Sequence, residues 1–106
     1  MTTFEDREKS FEKKYQHDEQ LKFKVNARRN KLLGLWAADK LGLKGADAEA
    51  YAKGVVAADF NRPGHEDVIE KVVADFKARS IEIAAHTVRH EADRLLMTAK
   101  QQVMNE

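Results

Sequence analysis

Two histidines one helical turn apart form the most chemically suggestive pair in the chain. His86 and His90 are flanked by Glu82 and Asp93, which is the spacing that a two-histidine metal site uses. On a helical wheel, this group lies ~140–180° from the apolar stripe of the same segment, at ~100° per residue. Exposed histidines without a surrounding pocket are typically only hydrated. We therefore predict no metal site and no cofactor.

The sequence indicates no other catalytic arrangement. The chain has 106 residues and no cysteine, which excludes disulfides, a thiolate nucleophile and Cys-ligated metals. No glycine-rich phosphate loop precedes a helix, and no nucleophile is paired with a recognisable base. The N-terminus lacks the apolar stretch of a signal peptide, and no apolar run is long enough to span a bilayer. We expect a single-domain cytoplasmic protein that is not an enzyme and does not insert into membranes.

A basic segment, which we name the basic collar, occupies residues 22–31. Residues 20–31 carry five basic and no acidic side chains, whereas residues 1–19 carry four basic and six acidic ones. A basic cluster is typical of nucleic-acid contacts, but the sequence pI is only about 8.0 and acidic residues surround the collar. A patterned surface of this kind better suits a protein partner. A nucleic-acid or scaffold-binding module that uses the collar remains the alternative function.

The N-terminal segment combines high charge with a regular aromatic pattern. Fifteen of the first 31 residues are charged, yet Phe4, Phe11 and Tyr15 follow one another at spacings of seven and four. This spacing places the three aromatic side chains along one stripe of a helix that would start near Phe4. Alone, so charged a segment cannot bury enough apolar surface to stay ordered. We predict a mobile, partly helical segment that folds against a partner.

The pattern of the rest of the chain predicts four amphipathic helices joined by short loops. Such an arrangement indicates a small four-helix bundle. Gly34 would let another backbone approach the first helix closely. Trp36 of the same helix is expected to be buried. Gly42 and Gly45 would end that helix. Asp47 is the predicted cap of the second helix, and Ser80 that of the fourth. The predicted helices span residues 20–41, 47–60 and 65–79, a breaker lies at 61–64, and the fourth helix begins near Ser80 and carries Ile81, Ala85, Val88, Ala92, Leu95 and Ala99.

Several blocks of the sequence are more specific than a general helical pattern. They are F-E-D-R-E-K-S-F-E-K-K-Y, A-R-R-N-K-L-L-G-L-W-A-A, A-E-A-Y-A-K-x-V-V-A-A-D-F and K-V-V-A-D-F. In register over essentially the whole chain, they resemble the alphaproteobacterial zeta-subunit family, small inhibitors of the rotary F-type ATP synthase. The chain departs from the family pattern at Gly54, where a charged residue is more usual, and at Ser80, where the junction lacks the usual glycine.

The resemblance implies a mobile inhibitory segment, residues 1–19, and a four-helix domain, residues 20–106. The segment would fold into the crevice between an alpha and a beta subunit of the catalytic head, near the central-stalk subunits, and block the rotation driven by ATP hydrolysis. The free protein would be a monomer, peripheral to the inner membrane through the synthase. The expected partner-binding residues are Phe4, Glu5, Arg7, Glu8, Phe11, Glu12, Lys13 and Tyr15, with secondary contacts from Lys22, Arg28 and Arg29.

Overall fold

The computed structural model describes residues 4–60 and 65–106. Over these residues the chain forms five α-helices and no strand, which confirms the all-α prediction. None of these helices is long and apolar enough to cross a membrane. The predicted breaker at 61–64 lies outside the described residues. The helices are α1 (Phe4–His17), α2 (Glu19–Lys40), α3 (Gly45–Ala57), α4 (Glu66–Ala78) and α5 (Ala85–Met104), and a 3-10 turn (Ala58–Phe60) follows α3. We refer to α2–α5 as the body.

One residue, Asp18, separates α1 from α2. Its backbone is extended, with φ −107° and ψ 105°. Its carboxylate accepts hydrogen bonds from the backbone N–H groups of Gln20, at 3.0 Å, and Leu21, at 3.2 Å. Asp18 is therefore the N-cap of α2 and satisfies donors that would otherwise have no helical partner. The first turn of α2 does not depend on α1 for these hydrogen bonds.

Gly34 marks the closest approach between two helices, as the sequence predicts. A Cβ atom at this position would lie 2.7 Å from the Cα of Ala52 and 3.2 Å from the Cβ of Val55. Gly34, Ala52 and Val55 are all buried. The absence of a side chain at Gly34 thus lets α2 and α3 pack backbone against backbone.

The start of α3 differs from the prediction. Asp47 does not cap this helix, because α3 begins two residues earlier and its N-cap is Lys44, which makes no side-chain cap hydrogen bond. Asp47 lies instead in the first turn, where its negative charge complements the helix dipole. Gly45 has φ +56° and is the first residue of α3 rather than part of the end of α2.

The ends of α2 and α4 have the same backbone geometry but different residues at the key position. At the end of α2, Gly42 has φ +78°, and the N–H of Leu43 donates to the carbonyl of Ala38 at 2.9 Å. At the end of α4, Ser80 has φ +58°, and the N–H of Ile81 donates to the carbonyl of Phe76 at 2.9 Å. Both are Schellman motifs, in which a left-handed residue follows the helix.

The prediction that Ser80 caps the last helix is therefore wrong. Ser80 ends α4, and α5 begins only at Ala85, after Ala84 as an N-cap without a side-chain hydrogen bond. Ile81, expected on the last helix, lies in the connection, where it packs against the core as a partly buried residue. The serine occupies a left-handed position that glycine normally takes, so the sequence carries no glycine signal for this helix end.

The body is built around one large cluster of buried apolar side chains, which we name the large cluster. Phe76, Leu33 and Ile69 are among its largest fully buried members. Trp36 was expected to be buried but is only partly so, packing its ring edge to face with Phe76 at a centroid distance of 6.0 Å. The buried members are Leu33, Ala37, Leu41, Val55, Val68, Ile69, Val72, Phe76, Val88, Ala92 and Leu95.

A polar contact joins α3 to α4 on the outside of the body. The hydroxyl of Tyr51 donates to Asp75 at 2.7 Å. The Nζ of Lys71 lies 3.1 Å from the same carboxylate and 5.2 Å from the centre of the tyrosine ring. Burial, and then the hydrogen bond to Asp75, raise the pKa of Tyr51. One lysine thus contacts both a carboxylate and an aromatic ring.

Candidate partner-binding surface

The aromatic stripe of α1 is divided between solvent and the body. Phe4 is 55% exposed. Phe11 and Tyr15, six and two residues before the end of α1, are half-buried. They pack against a second apolar cluster, which we name the small cluster; its buried members are Val25 of α2 and Ala99 and Val103 of α5. The stripe predicted for binding a partner therefore contacts the chain's own body through its second half.

Lys100 of α5 adds electrostatic contacts to this packing. Its Nζ lies 3.1 Å from the carboxylate of Glu12 and 4.4 Å from the centre of the Tyr15 ring. The side chain of Lys100 is 19% exposed, against 47% for Glu12. One lysine therefore joins an acidic and an aromatic residue of α1 to α5, a combination of contacts that Lys71 also makes with Asp75 and Tyr51.

Most other charged residues of α1 are exposed, and Glu8 is half-buried. Arg7 makes one long hydrogen bond, 3.4 Å, to the side chain of Asn105. Glu5, Glu8 and Lys13 line an open groove of about 770 Å³ between α1 and α5. The lining combines these charged side chains with apolar ones, among them Phe11, Met97 and Met104. The charges of α1 thus remain accessible while its aromatic stripe is partly covered.

The basic collar is partly neutralised by the body itself. Arg28 donates to Gln102 at 3.0 Å and forms an ion pair with Glu106. Lys24 pairs with the same carboxylate at 2.7 Å. The hydrogen bonds from Lys24 and then Arg28 hold the pKa of Glu106 below its ordinary value. Lys22 lies 3.5 Å from Glu19 on its own helix. The collar therefore ties the start of α2 to the end of α5.

Arg29 was expected on this exposed collar, but it is only 4% exposed. Its Nε donates to the side-chain oxygen of Asn30 at 2.8 Å. Burial lowers the pKa of Arg29, and the nearby carboxylate of Asp59 opposes that shift. A signal for this burial was present in the sequence, because Arg29 falls midway between Val25 and Leu33 on one stripe of the helix. Because Arg29 is charged, a search for apolar periodicity does not count it as a member of the buried stripe.

The histidine pair lies where the helical wheel predicts. His86, His90 and Asp93 are exposed on α5, and Glu82 is exposed in the connection before it. Across the described ranges, 4–60 and 65–106, no group of three or more His, Asp or Glu side chains is arranged to hold a metal ion. The candidate functional surface is therefore that of α1, which presents aromatic and charged side chains along one short helix.

Comparisons with known proteins identify one matching family and a similar solved structure. A family model described as ATPase inhibitor subunit zeta matches residues 1–102. A structure solved in solution by NMR is 46% identical, with a TM-score of 0.72, over 80% of this chain and 96% of that chain. No curated protein matches the chain significantly. The family match includes α1 and all of the body except the last two residues of α5.

Proposed function

Because the chain belongs to the ATPase inhibitor subunit zeta family, we propose that α1 is its inhibitory element and that the target is the rotary F-type ATP synthase. In this proposal, α1 binds the crevice between an alpha and a beta subunit of the catalytic head, beside the central stalk. It blocks rotation driven by ATP hydrolysis. The protein would act as a cytoplasmic monomer, held at the inner membrane through the synthase.

The observation that supports an inhibitory role is the arrangement of aromatic side chains on α1. It is a short amphipathic helix, and only the second half of its aromatic stripe, Phe11 and Tyr15, packs against the body. Phe4 is exposed. Amphipathic helices bind grooves through apolar residues at helical spacing, and aromatic side chains are enriched among the residues that dominate binding energy. We propose Phe4, Phe11 and Tyr15 as the anchors of the complex.

The charged residues of α1 have a second role in this proposal. They lie beside the stripe and fix the register of the helix in the crevice. Charges at the rim of an interface act mainly on the association rate and in a salt-dependent way. The proposed set is Glu5, Arg7, Glu8, Glu12 and Lys13, with secondary contacts from Lys22 and Arg28 of the collar.

The collar gives weaker support for a nucleic-acid or scaffold-binding module. Arg29 is buried, and Lys24 and Arg28 are paired with Glu106. Phosphate binding at these two side chains would have to displace that carboxylate. The body would therefore serve mainly as an anchor for α1 and as a bulky stop outside the crevice.

The test is inhibition of ATP hydrolysis by purified synthase. Deleting residues 1–17 removes α1 but keeps Asp18, the cap of α2, and should abolish inhibition. The matched control is the double variant Lys22→Gln, Arg28→Gln, which weakens the collar and leaves α1 intact; it should retain most of the inhibition. Equal inhibition by the truncated protein would refute the proposal. Inhibition lost only in the collar variant would favour the alternative module.

A further inference from the structure

We propose that α1 docked on the body is a closed, non-inhibitory form of the free protein, and that Lys100 is the residue that holds it closed. This inference rests on the proposed function, because it concerns the regulation of the same helix. In the closed form, a surface of α2 and α5 competes with the synthase for α1, because it contacts the aromatic side chains that the synthase would bind. The competing surface is the small cluster.

The competition follows from shared side chains. Phe11 and Tyr15 pack against Val25, Ala99 and Val103 in the structure. The faces of the two rings that contact the body cannot contact a crevice at the same time. Binding a partner through this stripe therefore requires that α1 first leave the body. The affinity of the partner for the free protein is then reduced by the fraction of molecules in which α1 is released.

Lys100 is placed to control that fraction. Its Nζ contacts Glu12 at 3.1 Å and the Tyr15 ring at 4.4 Å. Both residues belong to α1, and Lys100 belongs to α5, so both contacts are lost together when α1 leaves. Lys100 is also outside the segment proposed to bind the synthase. A change at this residue can therefore alter docking without altering the inhibitory helix.

The junction at Asp18 allows α1 to leave without damage to the body. Asp18 is the single residue between α1 and α2, and its carboxylate satisfies the N–H groups of Gln20 and Leu21. The first turn of α2 keeps these hydrogen bonds whether α1 is docked or released. The N-terminal half of α1 is also weakly held, since Phe4 is 55% exposed and Arg7 makes one long hydrogen bond. The backbone of Asp18 is extended, so a change of direction at this residue is the simplest way for α1 to leave.

The first experiment changes Lys100 to methionine, which keeps an apolar side chain over Tyr15 but removes the charge. The matched control is Lys71→Met, which loses corresponding contacts to Asp75 of α4 and Tyr51 of α3 rather than to α1. Amide hydrogen exchange over residues 4–17 should be roughly three- to tenfold faster in Lys100→Met than in the parent, a range set by one ion pair and one cation–π contact. Lys71→Met should leave exchange in α1 unchanged.

The same variants are then compared as inhibitors. Lys100→Met should inhibit at a lower concentration than the parent, by the same factor by which it raises the released fraction, and Lys71→Met should match the parent. A Lys100→Met protein that inhibits no better than the parent, despite faster exchange in α1, would show that docking does not compete with inhibition.

The second experiment traps the closed form with the chain's own residues. A carbodiimide joins a lysine amine to a carboxylate that it contacts, without a spacer, and Glu12 and Lys100 are such a pair. Peptide mass spectrometry should find this cross-link in the parent. The cross-linked protein should not inhibit, whereas Lys100→Met put through the same treatment should keep its inhibition. Absence of the cross-link, or full inhibition by the cross-linked protein, would overturn the inference.

These outcomes separate the inference from the proposed function. If the untreated parent does not inhibit, the proposed function fails and the competitive role fails with it, while hydrogen exchange and cross-linking still show whether α1 docks. If the parent inhibits but Lys100 has no effect on either exchange or inhibition, the proposed function stands and only the closed form is rejected.

Discussion

The two apolar clusters of this molecule differ in size and in what they hold together. In the described parts of the chain, the large cluster contains eleven buried residues, whereas the small cluster contains three. The large cluster joins all four helices of the body. The small cluster joins α2 to α5 and receives Phe11 and Tyr15 of α1 as partly buried neighbours. We therefore expect the large cluster to contribute most of the stability of the body, and the small cluster to contribute mainly to the docking of α1.

The largest expected effect compares one phenylalanine from each region. Phe76→Ala removes a fully buried side chain of the large cluster and should lower the free energy of unfolding by about 3–5 kcal/mol. Phe11→Ala removes a half-buried one, so the loss should be about half the ~1.5–3 kcal/mol of full burial. Urea unfolding followed by helical circular dichroism measures both. Equal losses would break the distinction between the two clusters.

The next effect compares two helical glycines within the body. Gly34→Ala places a Cβ 2.7 Å from the backbone of Ala52. Because α3 must shift to make room, the variant should lose about 1–3 kcal/mol of stability. Gly54→Ala meets only the flexible Cε of Lys71, at 3.7 Å, and should gain up to ~1 kcal/mol from helix propensity. Thermal denaturation gives the sign of each change, and the same sign for both would contradict the close approach of α2 and α3.

A smaller effect concerns the two left-handed helix ends. Ser80→Gly should raise stability by about 1 kcal/mol, because glycine adopts φ +58° without the steric cost that serine has there. Gly42→Ser should lower stability by a similar amount, since it introduces that cost at φ +78°. The two substitutions are reciprocal, so chemical denaturation of the pair tests the geometry of both ends. Loss of stability in Ser80→Gly would be inconsistent with this backbone.

The smallest effect lies at the contact of Glu106 with Lys24 and Arg28. The pKa of Glu106 is lowered in the folded chain by these two cations. Its contribution to stability is therefore fully present above the ordinary pKa of ~4.3 and is lost as the pH falls through the lower, folded value. The difference in melting temperature between the parent and Glu106→Gln should be small at neutral pH and vanish in acid. A difference that grows in acid would have the wrong sign.

Much of the fold is predictable from local patterns in the sequence. The apolar stripes predict the helices of the body to within a few residues at most ends. The predicted close approach at Gly34 and the exposure of His86 and His90 are confirmed. The resemblance to the zeta-subunit family is confirmed by the family model. These features depend on residue type and spacing within one segment, which the sequence states directly.

The errors arise where a residue's type conceals its local position, and where distant segments meet. Arg29 is buried because α2 places it on the stripe of Val25 and Leu33, despite its charge. Ser80 ends α4 in a conformation that the sequence marks only when glycine is present. The contact of α1 with the body includes Lys100, which lies 88 residues from its partner Glu12 along the chain. The sequence pattern of α1 alone identifies its aromatic stripe. It cannot show that side chains of α2 and α5 form a surface that this stripe contacts.

The single residue between α1 and α2 also fixes how inhibition would depend on protein concentration. A short tether gives the docking surface a local concentration in the millimolar range or above, and closing is a unimolecular step. The fraction of open molecules is therefore the same in a dilute and in a concentrated solution of the protein. A separate peptide of residues 1–17 would not have this tethered competitor, although it would have to order itself on binding. The Asp18 junction thus makes the ratio of open to closed molecules a property encoded in each chain.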